Sequence, residues 1–147
     1  MNILFITNKP ENKYFYIFDF FAALSKHHSV KWLNYDSYKN MSEFNYVLLS
    51  ICNIFKPNLI FIYEEKLILN FLTRDTLLLL KEKCKIFYWC ADFYNRSIQI
   101  SMVREANLFD NILISEKLKP KQNYTFFIPG VDCDFFKPDG TKKTHYI

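Results

Sequence analysis

Asp92 closes the apolar run Lys85-Ile-Phe-Tyr-Trp-Cys-Ala-Asp92. A carboxylate held at the end of a buried strand can take a proton from an acceptor hydroxyl as a general base, if its pKa suits the task. The commoner use of such an aspartate is to cap the following helix or turn through its side-chain oxygens. Other candidates follow other apolar runs. Asn8 and Lys9 come after the first, where a lysine can neutralise a phosphate, although most loop lysines are simply solvated. Glu64 and Glu65 follow the third and can bind substrate hydroxyls, yet a charged pair opening a surface loop is ordinary. Phe93 stands beside Asp92, and Ser115 and Glu116 end a later run with the same two readings. Gly130, after Pro129, serves backbone geometry first and lines a cleft only as a by-product.

No group of residues spells a metal site. His27 and His28 stand together at the end of a helical pattern, where cations meet the helix dipole favourably. The four cysteines, Cys52, Cys84, Cys90 and Cys133, share no C-x-x-C spacing and read as reduced, mostly buried thiols of a cytoplasmic protein. Asp132 and Asp134 flank Cys133, and carboxylates so spaced on an extended strand face one side and can share a cation.

These residues need a scaffold, and composition bounds it. The chain has 147 residues, half of them hydrophobic and 19% aromatic, enough for one domain with a real core and too apolar for disorder. A net charge of +4 falls short of a nucleic-acid footprint. No apolar run reaches the roughly 18 residues of a membrane span, and Met1-Asn2-Ile3 opens without the basic region of a secretory signal. Only two glycines are present, Gly130 and Gly140, where average usage gives about ten. Phosphate loops need glycine for close backbone approach, so neither G-x-G-x-x-G nor a Walker A loop follows the first strand. A standard NAD-dependent dehydrogenase and a P-loop NTPase are thereby disfavoured.

Short apolar runs without alternation mark strands buried on both faces: 2–7, 29–35, 58–63, 85–92, 111–115 and 124–128. Between them lie helical stripes. Ile17, Phe20, Phe21 and Leu24 mark a helix over 14–28, and Phe44, Val47, Leu48 and Ile51 mark one with Ser42 as its N-cap and Pro57 as its stop. Leu77, Leu80 and Cys84 mark a third, opening near Thr73, and 96–108 reads as a fourth. Strands alternating with helices predict right-handed βαβ units. The fold class is α/β, a Rossmann-like three-layer sandwich with a mostly parallel sheet of about six strands and helices on both faces. Ligands of such sheets bind outside the carboxyl ends of the strands, where the strand order reverses.

The exit segment, Tyr124-Thr-Phe-Phe-Ile-Pro-Gly-Val-Asp-Cys-Asp-Phe-Phe-Lys-Pro138, is the most specific stretch. It resembles the I-P-N-G-V-D-x-x-x-F-x-P segment that ends the first domain of many GT-B glycosyltransferases. Ile128, Pro129, Gly130, Val131, Asp132, Phe136 and Pro138 match, and the asparagine before the glycine is missing. Pro57-Asn58-Leu59-Ile60 resembles the family's K-P-D-[LIV]-[IV] strand entry. Trp89-Cys90-Ala91-Asp92 is similar to the W-x-x-D of the CgeB-like, glycosyltransferase-family-4-type branch. A D-x-D in GT-A glycosyltransferases holds a metal on the donor phosphates. Those enzymes carry it mid-chain, so Asp132 and Asp134 within the exit segment read as coincidence, and no metal is expected.

The resemblance implies an N-terminal, acceptor-side domain over 1–138, with 139–147 a tail or the start of a linker. Its activity would be hexosyl transfer from a nucleotide-diphosphate sugar to a sugar or glycan acceptor. Asp92 would be catalytic, and Asn8, Lys9, Glu64, Glu65, Phe93, Ser115, Glu116 and Gly130 would line the cleft. The donor nucleotide binds mainly to the second domain of such enzymes, so this domain is expected to bind no cofactor itself. A donor-binding partner subunit or the rest of the chain would complete the enzyme, as in the two-subunit N-acetylglucosamine transferase of the dolichol pathway. Nucleic acid is not an expected partner. Lys9, Lys13, Tyr14, Tyr16, Lys26 and His27 offer the cations and aromatics of a peripheral membrane contact, but sparsely. The alternative is a non-catalytic binding or scaffold module that keeps this fold. A flavodoxin- or receiver-like domain is a further rival, but Thr7-Asn8 and Tyr63-Glu64 lack a receiver's acidic cluster and phosphorylatable aspartate.

Overall fold

A computed structural model describes residues 1–7, 15–64, 72–90, 106–114 and 124–126. Six strands form one sheet: β1 (Asn2–Thr7), β2 (Ser29–Asn34), β3 (Leu59–Glu64), β4 (Lys85–Cys90), β5 (Asn111–Ile114) and β6 (Tyr124–Phe126). Their order is β2-β1-β3-β4-β5-β6, and every neighbouring pair is parallel. Among the described residues, three α-helices lie between strands: α1 (Phe15–Ser25), α2 (Met41–Phe55) and α3 (Arg74–Lys81). The class is α/β with a parallel sheet, as the run-and-stripe pattern predicts.

The unalternating run of β1 does bury both faces, whereas β2, at the edge of the sheet, alternates, with Ser29 and Lys31 exposed. In β1, Ile3 and Phe5 pack with the α1 side chains Ile17, Phe20, Phe21 and Leu24. Leu4 and Ile6 pack on the opposite side with Phe44 and Leu48 of α2 and Leu77 and Leu80 of α3. The register carries this division across the sheet. Phe5, Phe61 and Phe87 are aligned on the α1 face, while Ile6, Ile62, Tyr88 and Ile112 are aligned on the α2/α3 face. Leaving β1 the chain steps to β2, then crosses back over β1 to β3. Right-handed crossovers in opposite directions require helices on opposite faces, which is where α1 and α2 lie.

Several boundaries differ from the sequence expectation. α1 stops at Ser25 rather than His28, because the His27 and His28 N–H groups both close on the Leu24 carbonyl, at 3.2 and 3.0 Å. β2 stops at Asn34, whose side chain accepts from Asp36 N–H and starts a 3-10 turn at Tyr35–Ser37. The N-cap of α2 is Asn40, not Ser42. Asn40 Oδ1 accepts from Glu43 N–H at 2.9 Å, and Glu43 Oε2 accepts from Lys39 N–H at 3.0 Å. The buried stripe of α2 is Phe44, Asn45, Leu48 and Cys52, so Val47 and Ile51 lie at its margin. Thr73 caps α3 as expected and donates its N–H to Asn45 Oδ1 at 3.2 Å, tying the two helices together. β3 is displaced by one residue, while the expected last residues of β4, β5 and β6, beyond Cys90, Ile114 and Phe126, lie outside the described residues. Of the expected fourth helix, Ala106–Leu108 forms a 3-10 turn; residues 96–105 lie outside the described set.

α2 ends on Lys56, a left-handed residue (φ 49°) whose N–H reaches the Cys52 carbonyl. A side chain there costs roughly 1–2 kcal/mol against glycine, partly offset by glycine's freer unfolded chain. Lys56→Gly is therefore expected to raise the unfolding free energy by up to about 1 kcal/mol, measured by urea titration. A lower midpoint in the variant would refute the strain.

Asp110 joins the β4 and β5 entries. Its carboxylate accepts from Ile86 N–H at 2.9 Å and from Lys85 Nζ at 3.0 Å, while its own N–H donates to the Ile86 carbonyl. Burial acts to raise its pKa, but the Ile86 and Lys85 hydrogen bonds and the charges of Lys85 and Lys81 outweigh that and hold it below the usual carboxylate value. A depressed folded pKa means stability that is full above the unfolded value of about 4 and lost as pH falls through the folded one. Asp110→Asn is expected to flatten the loss of stability between about pH 5 and pH 3. Identical acid slopes for both proteins would show that the carboxylate contributes nothing.

Candidate functional site

All six strands being parallel, their carboxyl ends share one edge of the sheet. The order reverses between β1 and β3, which is where the parallel-sheet rule puts a ligand crevice. Ile6 pairs with Ile62; one step further β1 ends on Thr7, while β3 runs on through Tyr63 to Glu64. Thr7 and Tyr63 are both fully buried, and Thr7 is paired in register with Asn34 of β2. The Tyr63 ring meets the Trp89 ring edge-on at 4.7 Å, which packs the ends of β3 and β4 together in the core.

The candidates distribute over neighbouring strand ends. Glu64 is the last residue of β3 and pairs with Cys90, the last of β4. Cys90 pairs in turn with Ile114, the last of β5, and Ile114 with Phe126 of β6. In sequence, Asp92 and Phe93 follow Cys90 closely, Ser115 and Glu116 follow Ile114, and Asn8 and Lys9 follow Thr7. The order β1-β3-β4-β5 thus brings together the strands that lead into every one of those candidates. Asn8, Lys9, Glu65, Asp92, Phe93, Ser115, Glu116 and Gly130 themselves lie outside the described residues, as do Cys133 and the Asp132 and Asp134 pair.

Sequence reasoning passed over Thr7, Tyr63 and Trp89. Thr7 carried a signal, being the one polar residue ending an otherwise apolar run. Trp89 is the tryptophan of the W-x-x-D stretch, and it is a core residue, packed against Phe20, Phe61 and Tyr63. Its place in that stretch is to anchor the end of β4.

Among the described residues, no group of three His, Cys, Asp or Glu side chains could hold a metal ion, and no helix is long and apolar enough to cross a membrane. Cys52 and Cys84 are free thiols. Burial pushes Cys52 up to about 12 and Cys84 up to about 11, so neither is a thiolate nucleophile at neutral pH. No family model, curated protein or solved structure matches this chain.

Proposed function

We propose that this chain is the Rossmann-like, acceptor-binding half of a cytoplasmic GT-B glycosyltransferase, with the donor nucleotide sugar held by a partner or by further chain. What supports the reading is the strand order, with its switch point between β1 and β3 and the candidate-bearing strands β1, β3, β4 and β5 contiguous at one edge. The resembling segments fit that order: Pro57-Asn58 leads into β3, Trp89 is the last residue but one of β4, and the exit segment opens as β6. In this reading Asp92 is the general base on the acceptor hydroxyl, and Glu64, Glu65, Ser115 and Glu116 bind its neighbouring hydroxyls. Lys9 neutralises a donor phosphate, and Asn8 is a cleft residue beside it in sequence.

A test is the coding sequence beyond codon 147 and in the adjoining frames. A second βα-rich domain carrying a glutamate pair supports the reading. The joined protein is then expected to hydrolyse a nucleotide sugar, and Asp92→Asn to cut that rate by about 100-fold or more with Tm unchanged. If no such domain is encoded there, the further-chain form of the reading fails and the scaffold reading leads. The scaffold reading is favoured by one observation, that the loop after β1 contains no glycine to admit a phosphate. It predicts no nucleotide-sugar binding even when the partner is supplied.

A further inference from the structure

β2 is an edge strand, and among the described residues no strand pairs with its outer side. Such an edge presents backbone N–H and C=O groups whose natural partner is another strand. One bond shows which residues present them. Ser29 donates its N–H to the Met1 carbonyl at 3.0 Å, and successive residues of a strand turn their backbone groups to opposite sides. Ser29, Lys31 and Leu33 therefore face β1, while Val30 and Asn34 turn their groups outward.

α2 flanks this edge on one face of the sheet. The Phe44 ring lies 5.5 Å from Tyr38, just beyond β2, and Lys31 Nζ of β2 sits 5.6 Å from the Phe55 ring centre. Asn45, one step round the helix from Phe44, is bonded instead to Thr73 at the start of α3. At about 3.6 residues per turn, the flank of α2 turned away from α3 carries Val47, Ile51 and Ile54. Val47 and Ile51 are half-buried, and Ile54 is 82% exposed. An open strand edge and an apolar helix flank lie side by side.

We propose that this surface takes a second copy of the chain, β2 against β2, antiparallel about a two-fold axis through Trp32 and normal to the sheet. An axis through Lys31 would set two ammonium groups directly opposite each other, which destabilises a strand pair. An axis through Leu33 would run Val30 past the end of the other copy's β2. The axis through Trp32 sets Lys31 opposite Leu33 of the second copy. On either side of it Val30 of one copy and Asn34 of the other exchange N–H···O bonds. The charges agree with this direction, because Lys26, exposed before β2, is carried to the end of the other copy's strand where Asp36 is exposed. An axis normal to the sheet keeps each face on its own side, so α2 meets α2, antiparallel, with Ile54 against the Val47 end of its counterpart. A lone peptide strand would fill the edge and leave that flank bare, whereas a second copy covers both.

The test is sedimentation velocity of the full chain across a range of concentrations, with residue-resolved hydrogen exchange at both ends of the range. The expected result is a reversible dimer in which the Val30 and Asn34 amides exchange at least about tenfold more slowly than in the single chain. Val30→Pro removes an outward N–H and no bond of the chain itself, so it is expected to weaken the dimer by about tenfold or more, with circular dichroism unchanged. Ile54→Lys alters a side chain exposed in the single chain, weakens the dimer likewise, and decides the matter where Val30→Pro does not fold. A monomer at every concentration overturns the proposal. So does a dimer whose Val30 and Asn34 amides exchange freely, or one that survives these substitutions. Growth beyond the dimer overturns it too, since a two-fold contact closes on itself.

Discussion

Trp89→Ala is expected to lower the unfolding free energy by about 3–5 kcal/mol, the range for removing a fully buried aromatic. Trp89 is 1% exposed and touches three other rings: Tyr63 at 4.7 Å, Phe20 at 5.8 Å and Phe61 at 6.3 Å between centroids. It therefore joins α1 to two strands, and the cavity left by alanine is ringed by groups held by the sheet and cannot collapse cheaply. A domain of this size holds about 5–15 kcal/mol in all, so the variant is close to unfolding. In urea, with a slope of about 2 kcal/mol/M, the midpoint drops by roughly 2 M. Trp89→Phe keeps a ring against Tyr63 and is expected to cost about 1–2 kcal/mol. Should the alanine variant move the midpoint by less than about 0.5 M, Trp89 is not the anchor of this face.

Phe44→Ala is expected to cost about 3–5 kcal/mol on the other face. Phe44 is fully buried near the start of α2, in the cluster with Leu4, Ile6, Leu48 and Leu80, and its ring lies 5.5 Å from Tyr38. The two substitutions act on opposite faces of the sheet and share no contact, so their costs add to within about 0.5 kcal/mol. The double variant is expected to show no cooperative transition at 25 °C. A stably folded double variant would mean that the two faces do not melt as one unit.

Much of this fold was legible because its strands are unusually plain. Asn2–Thr7 and Leu59–Glu64 are short apolar runs without alternation, and such runs have one common home, a strand covered on both sides. The α1 stripe of Ile17, Phe20, Phe21 and Leu24 was equally clear. The α2 start differs although its signal is present: Asn40 and Glu43 stand at capping-box spacing, with the cap two residues before Ser42. The end of α1 was overrun because Lys26, His27 and His28 do not break a helix by propensity. The chain turns there so that Ser29 can bond the Met1 carbonyl and begin β2 beside β1.

Sequence alone determined the α/β class and the candidates that follow each strand, because local burial pattern and chain order are properties of neighbouring residues. The tertiary structure alone decided which strands adjoin. The crossing of β2 to β3 over β1 sets the switch point, and nothing within either segment encodes it. It also decided that Cys52 and Cys84, far apart in sequence, line one cavity, because parallel strands return each helix end to the same edge of the sheet. Pairing energy between distant segments depends on register and on which faces are covered. Both are settled only when the whole sheet has closed on its two layers of helices.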